Sequence, residues 1–182
     1  MSRRMPQPQP LMTAEDFATG WTWEQYLQQV TASARLQAKH YQSVTDDELS
    51  VFTPPDETLY AIVLSSEKCG DGAWAIPRLV RILQDRMGIQ LRIFFRDEHE
   101  DLMDHLETDG KRAIPKLAVL DQDFRIVGVW GPYPEAIKPY VREHAGKHDR
   151  SEWYPEVMKY YRKSGQGDLI RDIQALFEEL AV

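Results

Sequence analysis

The chain has a single cysteine, Cys69, set in the run Lys68-Cys69-Gly70-Asp71-Gly72. One cysteine excludes an internal disulfide framework and any metal site built of cysteines. Such a residue is either a small buried hydrophobe or a reactive thiol, and its position decides between them. Before the run stands a short apolar stretch, Leu59 to Leu64, with the composition of a buried strand; after it, Ile76, Leu79, Val80, Leu83 and Met87 recur at helical spacing, closed by Gly88. Strand, short turn and helix place the thiol at a helix N-terminus. There the unpaired amides of Gly70, Asp71 and Gly72 and the positive end of the dipole favour thiolate over thiol. Lys68 adds to this effect, while the Asp71 carboxylate opposes it by like-charge repulsion. A second cue is Ala113-Ile114-Pro115, directly ahead of another apolar run. Proline cannot donate to a ladder and belongs at a strand start, and a cis peptide suits such a turn. Trp74, one turn into the helix, reads either as the wall of a groove beside Cys69 or as buried packing.

Other constellations are weaker. His144 and His148 are four apart, and His99 and His105 sit among acids, but neither pair has a third ligand in view, so no metal is expected. No Ser/His/Asp order appears, Gly70-Asp71-Gly72 is too short to cradle a phosphate, and no cofactor is indicated.

The elements that must position these residues follow from periodicity. Residues 1–12 read as a flexible tail rich in Pro and Gln. Residues 13–56 read as a helical extension, with Thr22 and Gln25 at capping-box spacing, a short acidic helix at Asp46–Leu49 and an end at Pro54-Pro55. Residues 57–146 alternate strand, helix, strand (Gln90–Phe95), helix (Asp97–Thr108), a hairpin of Lys116–Leu120 and Arg125–Trp130, and a helix through Tyr133, Ile137 and Val141. A right-handed crossover makes the first two strands parallel and the hairpin supplies an antiparallel half, giving an α/β unit: a mixed four-stranded sheet flanked by helices. Residues 147–182 read as a C-terminal extension of two helices, Glu152–Lys163 and one from Asp168, broken at Gly165-Gln166-Gly167. The aromatic stripes Trp21, Trp23, Tyr26 and Trp153, Tyr154, Tyr160, Tyr161 read as packing, with a homodimer surface as the other reading.

With 182 residues the chain suits one compact unit, and a formal charge of -7 with a pI near 5.3 argues against nucleic acid or an anionic membrane as partner. No apolar run reaches the roughly 20 residues of a membrane span, and Met1–Pro10 lacks the apolar stretch of a signal peptide, so a cytoplasmic protein is expected.

Cys69-Gly70-Asp71-Gly72 with Pro77 in the following helix, and Ile114-Pro115 before a hairpin, resembles thioredoxin. The chain is still more similar to a bacterial branch of thioredoxin-like proteins, through Cys69-Gly70-Asp71, Arg96-Asp97-Glu98, Leu102-Met103-Asp104, Gly110 to Pro115 with Arg112, and Trp130-Gly131-Pro132. The resemblance implies a thioredoxin fold, Cys69 as the attacking thiol and Ile114-Pro115 as a cis-proline platform for a partner. Two departures bear on mechanism. Gly72 stands where a resolving cysteine would be, and Lys68 stands where thioredoxins carry Trp, so a dithiol reductase is excluded. The expectation is monothiol exchange with a protein or low-molecular-weight thiol or disulfide. A non-redox peptide-binding module with a relic cysteine, and peroxide sensing through a sulfenic acid, are the alternatives.

Overall fold

The computed structural model describes residues 7–181; residues 1–6 of the expected tail and Val182 lie outside the described residues. The four strands β1 (Tyr60–Ser65), β2 (Gln90–Phe95), β3 (Lys116–Leu120) and β4 (Ile126–Trp130) form one sheet in the order β2-β1-β3-β4. β1 and β2 run parallel, Tyr60 opposite Gln90, while β1–β3 and β3–β4 are antiparallel. The hairpin turn is held by Asp121, whose Oδ1 accepts from the amides of Asp123 and Arg125 at 2.8 and 2.9 Å.

β1 is buried on both faces because helices cover both. Ala61 and Val63 point into a large core shared with Ile76, Leu79 and Leu83, and Ile62 and Leu64 point into a smaller one with Phe94, Met103 and Leu120. The central helix α5 (Gly70–Leu79) runs on into a π-helical stretch, Val80–Arg86, and Gly88 at φ +72° ends it.

Ahead of the sheet stand four helices: α1 (Ala14–Thr19), whose Phe17 enters the smaller core, and α2 (Trp23–Gln29), α3 (Ala34–Ser43) and α4 (Asp46–Leu49), which pack on the larger one. The expected cap is present, Thr22 Oγ1 accepting from the Gln25 amide at 3.3 Å and Gln25 Oε1 accepting from the Thr22 amide at 3.1 Å. Trp21 exchanges two 2.9 Å backbone hydrogen bonds with Ile93 and so covers the free edge of β2. Leu11 and Met12, assigned by sequence to the tail, are instead fixed: the Leu11 amide donates to the Phe124 carbonyl at 2.8 Å and Met12 is buried. Their apolar side chains find the smaller core.

Two expected helices are shorter than their periodicity suggested. The Asp97–Thr108 segment forms a 3-10 turn at Arg96–Glu98 and α6 (Glu100–Asp104). The segment after Tyr133 forms a 3-10 turn at Glu135–Ile137 and α7 (Lys138–His144). The expected break at Gly165-Gln166-Gly167 does not occur. From Arg150 the chain stays helical through α8 (Arg150–Tyr160), a π-helical stretch (Tyr161–Gly165) and α9 (Gln166–Leu180). Gly165 has ordinary helical angles; what requires glycine is contact, since a Cβ there would lie 2.9 Å from the Trp74 ring. No helix among the described residues is long and apolar enough to cross a membrane.

Candidate functional site

Cys69 is the N-cap residue of α5, and its side chain takes the role of the capping oxygen: the Gly72 amide donates to Sγ at 3.2 Å. The thiol is half-buried, with the Ile114 carbonyl 3.8 Å from Sγ. The Ile114-Pro115 peptide is cis, and it is brought against the sulfur by the start of β3. Cys69, Gly70, Gly72, Ile114 and Pro115 are thus one cluster built from the end of β1, the start of α5 and the turn before β3. Ser65, the last residue of β1, completes its floor. Its side chain is fully buried beside the sulfur, and a Cβ on Gly72 would stand 2.2 Å from its hydroxyl. The position of a resolving cysteine is therefore not merely vacated but filled by a neighbour.

Opposing influences act on the thiol. Burial is the largest and pushes the Cys69 pKa up. The Gly72 amide pulls it down, the Asp71 carboxylate pushes it up, and the Ser65 hydroxyl and Asp71 amide pull it down; the net direction is upward. The sequence placed the amides of Gly70, Asp71 and Gly72 together as a thiolate-stabilising loop and set the Asp71 carboxylate against it, and Asp71 acts in both ways here. Its backbone amide assists the thiolate, whereas its carboxylate works against it.

That carboxylate is occupied elsewhere. Asp71 is 3% exposed, and its Oδ1 accepts from the hydroxyls of Tyr161 at 2.7 Å and Tyr154 at 2.9 Å. Its Oδ2 accepts from Arg150 Nη2 at 3.2 Å and from the Tyr133 hydroxyl at 3.4 Å. Burial, then the adjacent Asp71 charge, holds the Tyr133, Tyr154 and Tyr161 hydroxyls far above their usual range, so all three remain donors. The C-terminal helices are thereby tied to the first turn of α5. Sequence reading treated Tyr154 and Tyr161 as packing, placed Tyr133 on a helix, and missed the cluster. The available signal was a tyrosine-rich stripe, whose rings bury readily but whose hydroxyls need partners, alongside an acid at a buried helix start.

Trp74 fulfils both of its readings. It is 5% exposed and stacks on Tyr161 with ring centroids 4.0 Å apart, and it also forms part of a groove of about 770 Å³ opening beside Cys69. The groove runs between α3, which contributes Leu36 and His40, and the C-terminal helix, which contributes Met158 and Arg162. Ile114 and Pro115 do not line it; they lie against the sulfur outside its walls. His144 and His148 stand 6.0 Å apart by ring centroids, with His144 Nδ1 2.8 Å from the Tyr140 carbonyl. Among the described residues no group of three or more metal-ligating side chains gathers.

Comparison with known proteins agrees with this architecture. The family model described as thioredoxin matches residues 20–148. A crystal structure of a protein of unknown function from Pseudomonas aeruginosa is similar at a TM-score of 0.66 and 20% identity, covering 93% of this chain and 99% of that one. An HIV epitope scaffold is similar at a TM-score of 0.64 and 21% identity, covering 91% of this chain and 97% of its own. A search of curated proteins gives no match. At these identities the two structures speak for the fold alone, while the family model spans the β1–Cys69–α5 turn, the cis-proline and all four strands: the chain belongs to the thioredoxin family.

Proposed function

We propose that this protein carries out thiol–disulfide exchange by a monothiol route through Cys69, in the cytoplasm where small thiols are abundant. The observation that carries the reading is the sulfur itself. It caps α5 under the Gly72 amide at 3.2 Å, beside the cis-proline turn, and lines an open groove. In the reaction the Cys69 thiolate attacks one sulfur of a disulfide, forming a mixed disulfide and expelling the other sulfur as a thiolate that takes up a proton. With glycine at position 72, no second thiol of this chain completes the cycle. An external thiol, as its thiolate, attacks the mixed disulfide, leaving with the captured sulfur and returning Cys69 to thiolate. Gly70, Asp71 and Gly72 contribute their amides, and Ile114-Pro115 is the edge against which the partner's backbone lies.

A second reading, a non-redox binding module, is favoured by one specific observation: burial and the Asp71 charge both push the thiol upward. The two separate in one experiment, the pH dependence of alkylation by iodoacetamide with Cys69→Ser as blank, followed by mass analysis after incubation with a small disulfide. Exchange predicts a mixed disulfide on the folded protein, formed faster as pH rises. A thiol that reacts only on unfolding refutes exchange and leaves the binding module.

A further inference from the structure

The groove beside Cys69 contains a buried cation that the exchange reaction does not use. Arg78 lines it and is only 6% exposed. Its Nε donates to Gln166 Oε1 at 2.8 Å, its Nη1 to the Trp74 carbonyl at 2.6 Å, and its guanidinium lies 4.5 Å from the Trp74 ring centroid. None of these partners is charged. Among the described residues no carboxylate forms an ion pair with it; Glu48 comes nearest in effect, bound at 2.9 Å to Nε2 of the same Gln166 whose oxygen meets Arg78. A guanidinium withdrawn from water with its nearest carboxylate held one side chain away is costly, and burial pulls the Arg78 pKa down to about 10 against the opposing charge of Glu48. Lys68 and Arg162 also line the groove, against one acid, Glu67. His40 is neutral there, burial and Arg78 pulling its pKa down to about 4. On a chain with a formal charge of -7, this concave surface is locally cationic.

We infer that the groove takes a small, peptide-sized thiol or disulfide bearing a carboxylate, its sulfur at Cys69 and its carboxylate at Arg78. This rests on the exchange reading above and names its substrate class. A volume of about 770 Å³ matches a small-molecule site rather than a flat protein interface. Nine residues of helix, a rise of roughly 13 Å at about 1.5 Å per residue, separate Cys69 from Arg78, and the guanidinium folds back to the Trp74 carbonyl, so an extended peptide of at most about four residues spans the two ends. Apolar Leu36, Met158 and Trp74 also line the groove and accept the ligand's methylenes. The covalent step is the one given above: the Cys69 thiolate bonds to one ligand sulfur and the other leaves as a thiolate.

The test compares three disulfides of different charge: oxidised glutathione (anionic), 2-hydroxyethyl disulfide (neutral) and cystamine (cationic). The rate of mixed-disulfide formation on Cys69 is read by intact mass at low and high salt. Glutathione disulfide is expected to outpace the neutral reagent about tenfold at low salt, the effect of one partly desolvated charge pair, with cystamine slowest. High salt and Arg78→Met should each erase the preference for the anionic reagent over the neutral one. Arg162→Gln, at an exposed position, should reduce it without risk to folding. Equal rates for the three reagents, or cystamine fastest, overturn the inference while leaving exchange intact. Absence of reaction with all three refutes exchange instead, and the carboxylate site is then decided by titrating Cys69→Ser with S-methylglutathione: saturable binding weakened by Arg78→Met supports the site, and no binding refutes it.

Discussion

Replacing Asp71 by alanine tests the linkage between the thiol and the C-terminal helices with two readouts at once. The substitution removes the acceptor of four donors, Tyr133, Arg150, Tyr154 and Tyr161. Tyr161 and Tyr133, 4% and 9% exposed, lose a partner where water does not readily replace it, at about 1–3 kcal/mol each. Tyr154 is only half-buried, and the Arg150 side chain is 56% exposed and rehydrates, so their shares are smaller. The expected loss is about 4 kcal/mol, a large part of the 5–15 kcal/mol typical of a domain, and a drop of about 2 M in the urea midpoint. Asp71→Asn, which keeps one carbonyl oxygen as acceptor, should cost less. The second readout is the thiol. Because the Asp71 charge pushes the Cys69 pKa up, removing it should bring that pKa down and quicken alkylation at neutral pH in both variants. An unchanged midpoint in Asp71→Ala refutes the clamp, and an unchanged or higher thiol pKa in a folded variant refutes the electrostatic coupling.

Further outcomes follow from the same geometry. Gly72→Cys should fail to form a disulfide with Cys69 and should lower the melting temperature, because its Cβ meets Ser65 Oγ at 2.2 Å; adding Ser65→Ala should restore stability and allow the disulfide, read by free-thiol titration. Ser65→Ala alone should raise the Cys69 pKa further, since that hydroxyl favours the thiolate, and a fall would refute its role. His40 in the folded state has its pKa pulled below the ordinary 6.5 to about 4, so its contribution is full above pH 6.5 and is lost as pH falls toward 4; His40→Gln should flatten that limb of a stability–pH curve. Gly131→Ala should cost about 3 kcal/mol in urea denaturation, because Gly131 holds φ +111° and a Cβ there meets the Pro115 carbonyl oxygen at 2.4 Å.

The order of strands and helices between residues 57 and 146 was legible in the sequence because each element repeats at its own period: β1 is a short apolar run, Ile76, Leu79, Val80 and Leu83 keep helical spacing across α5 and its π-helical continuation, and Asp121-Gln122-Asp123 makes a hairpin link. The placement of Cys69 at a helix start was equally local, since strand, glycine-rich turn and amphipathic run are contiguous. Local reading failed where contact overrode propensity. Glycine at 165 signals a helix end, yet the helix continues through it, because the Trp74 ring needs the space a Cβ would fill. The sign of the thiol's pKa shift was likewise undecided in sequence: the amides at the helix start favour thiolate and the Asp71 charge opposes it, but burial is the largest influence, and burial is a property of everything packed around the turn. The Asp71 cluster and the unpaired Arg78 are the clearest products of tertiary structure. The donors to Asp71 come from 62, 79, 83 and 90 residues further along the chain, and the counter-charge of Arg78 stops one side chain short, at Gln166. Periodicity fixes which face of an element is buried; which polar groups meet once those faces close depends on the angles at which helices cross the sheet, and no local pattern records them.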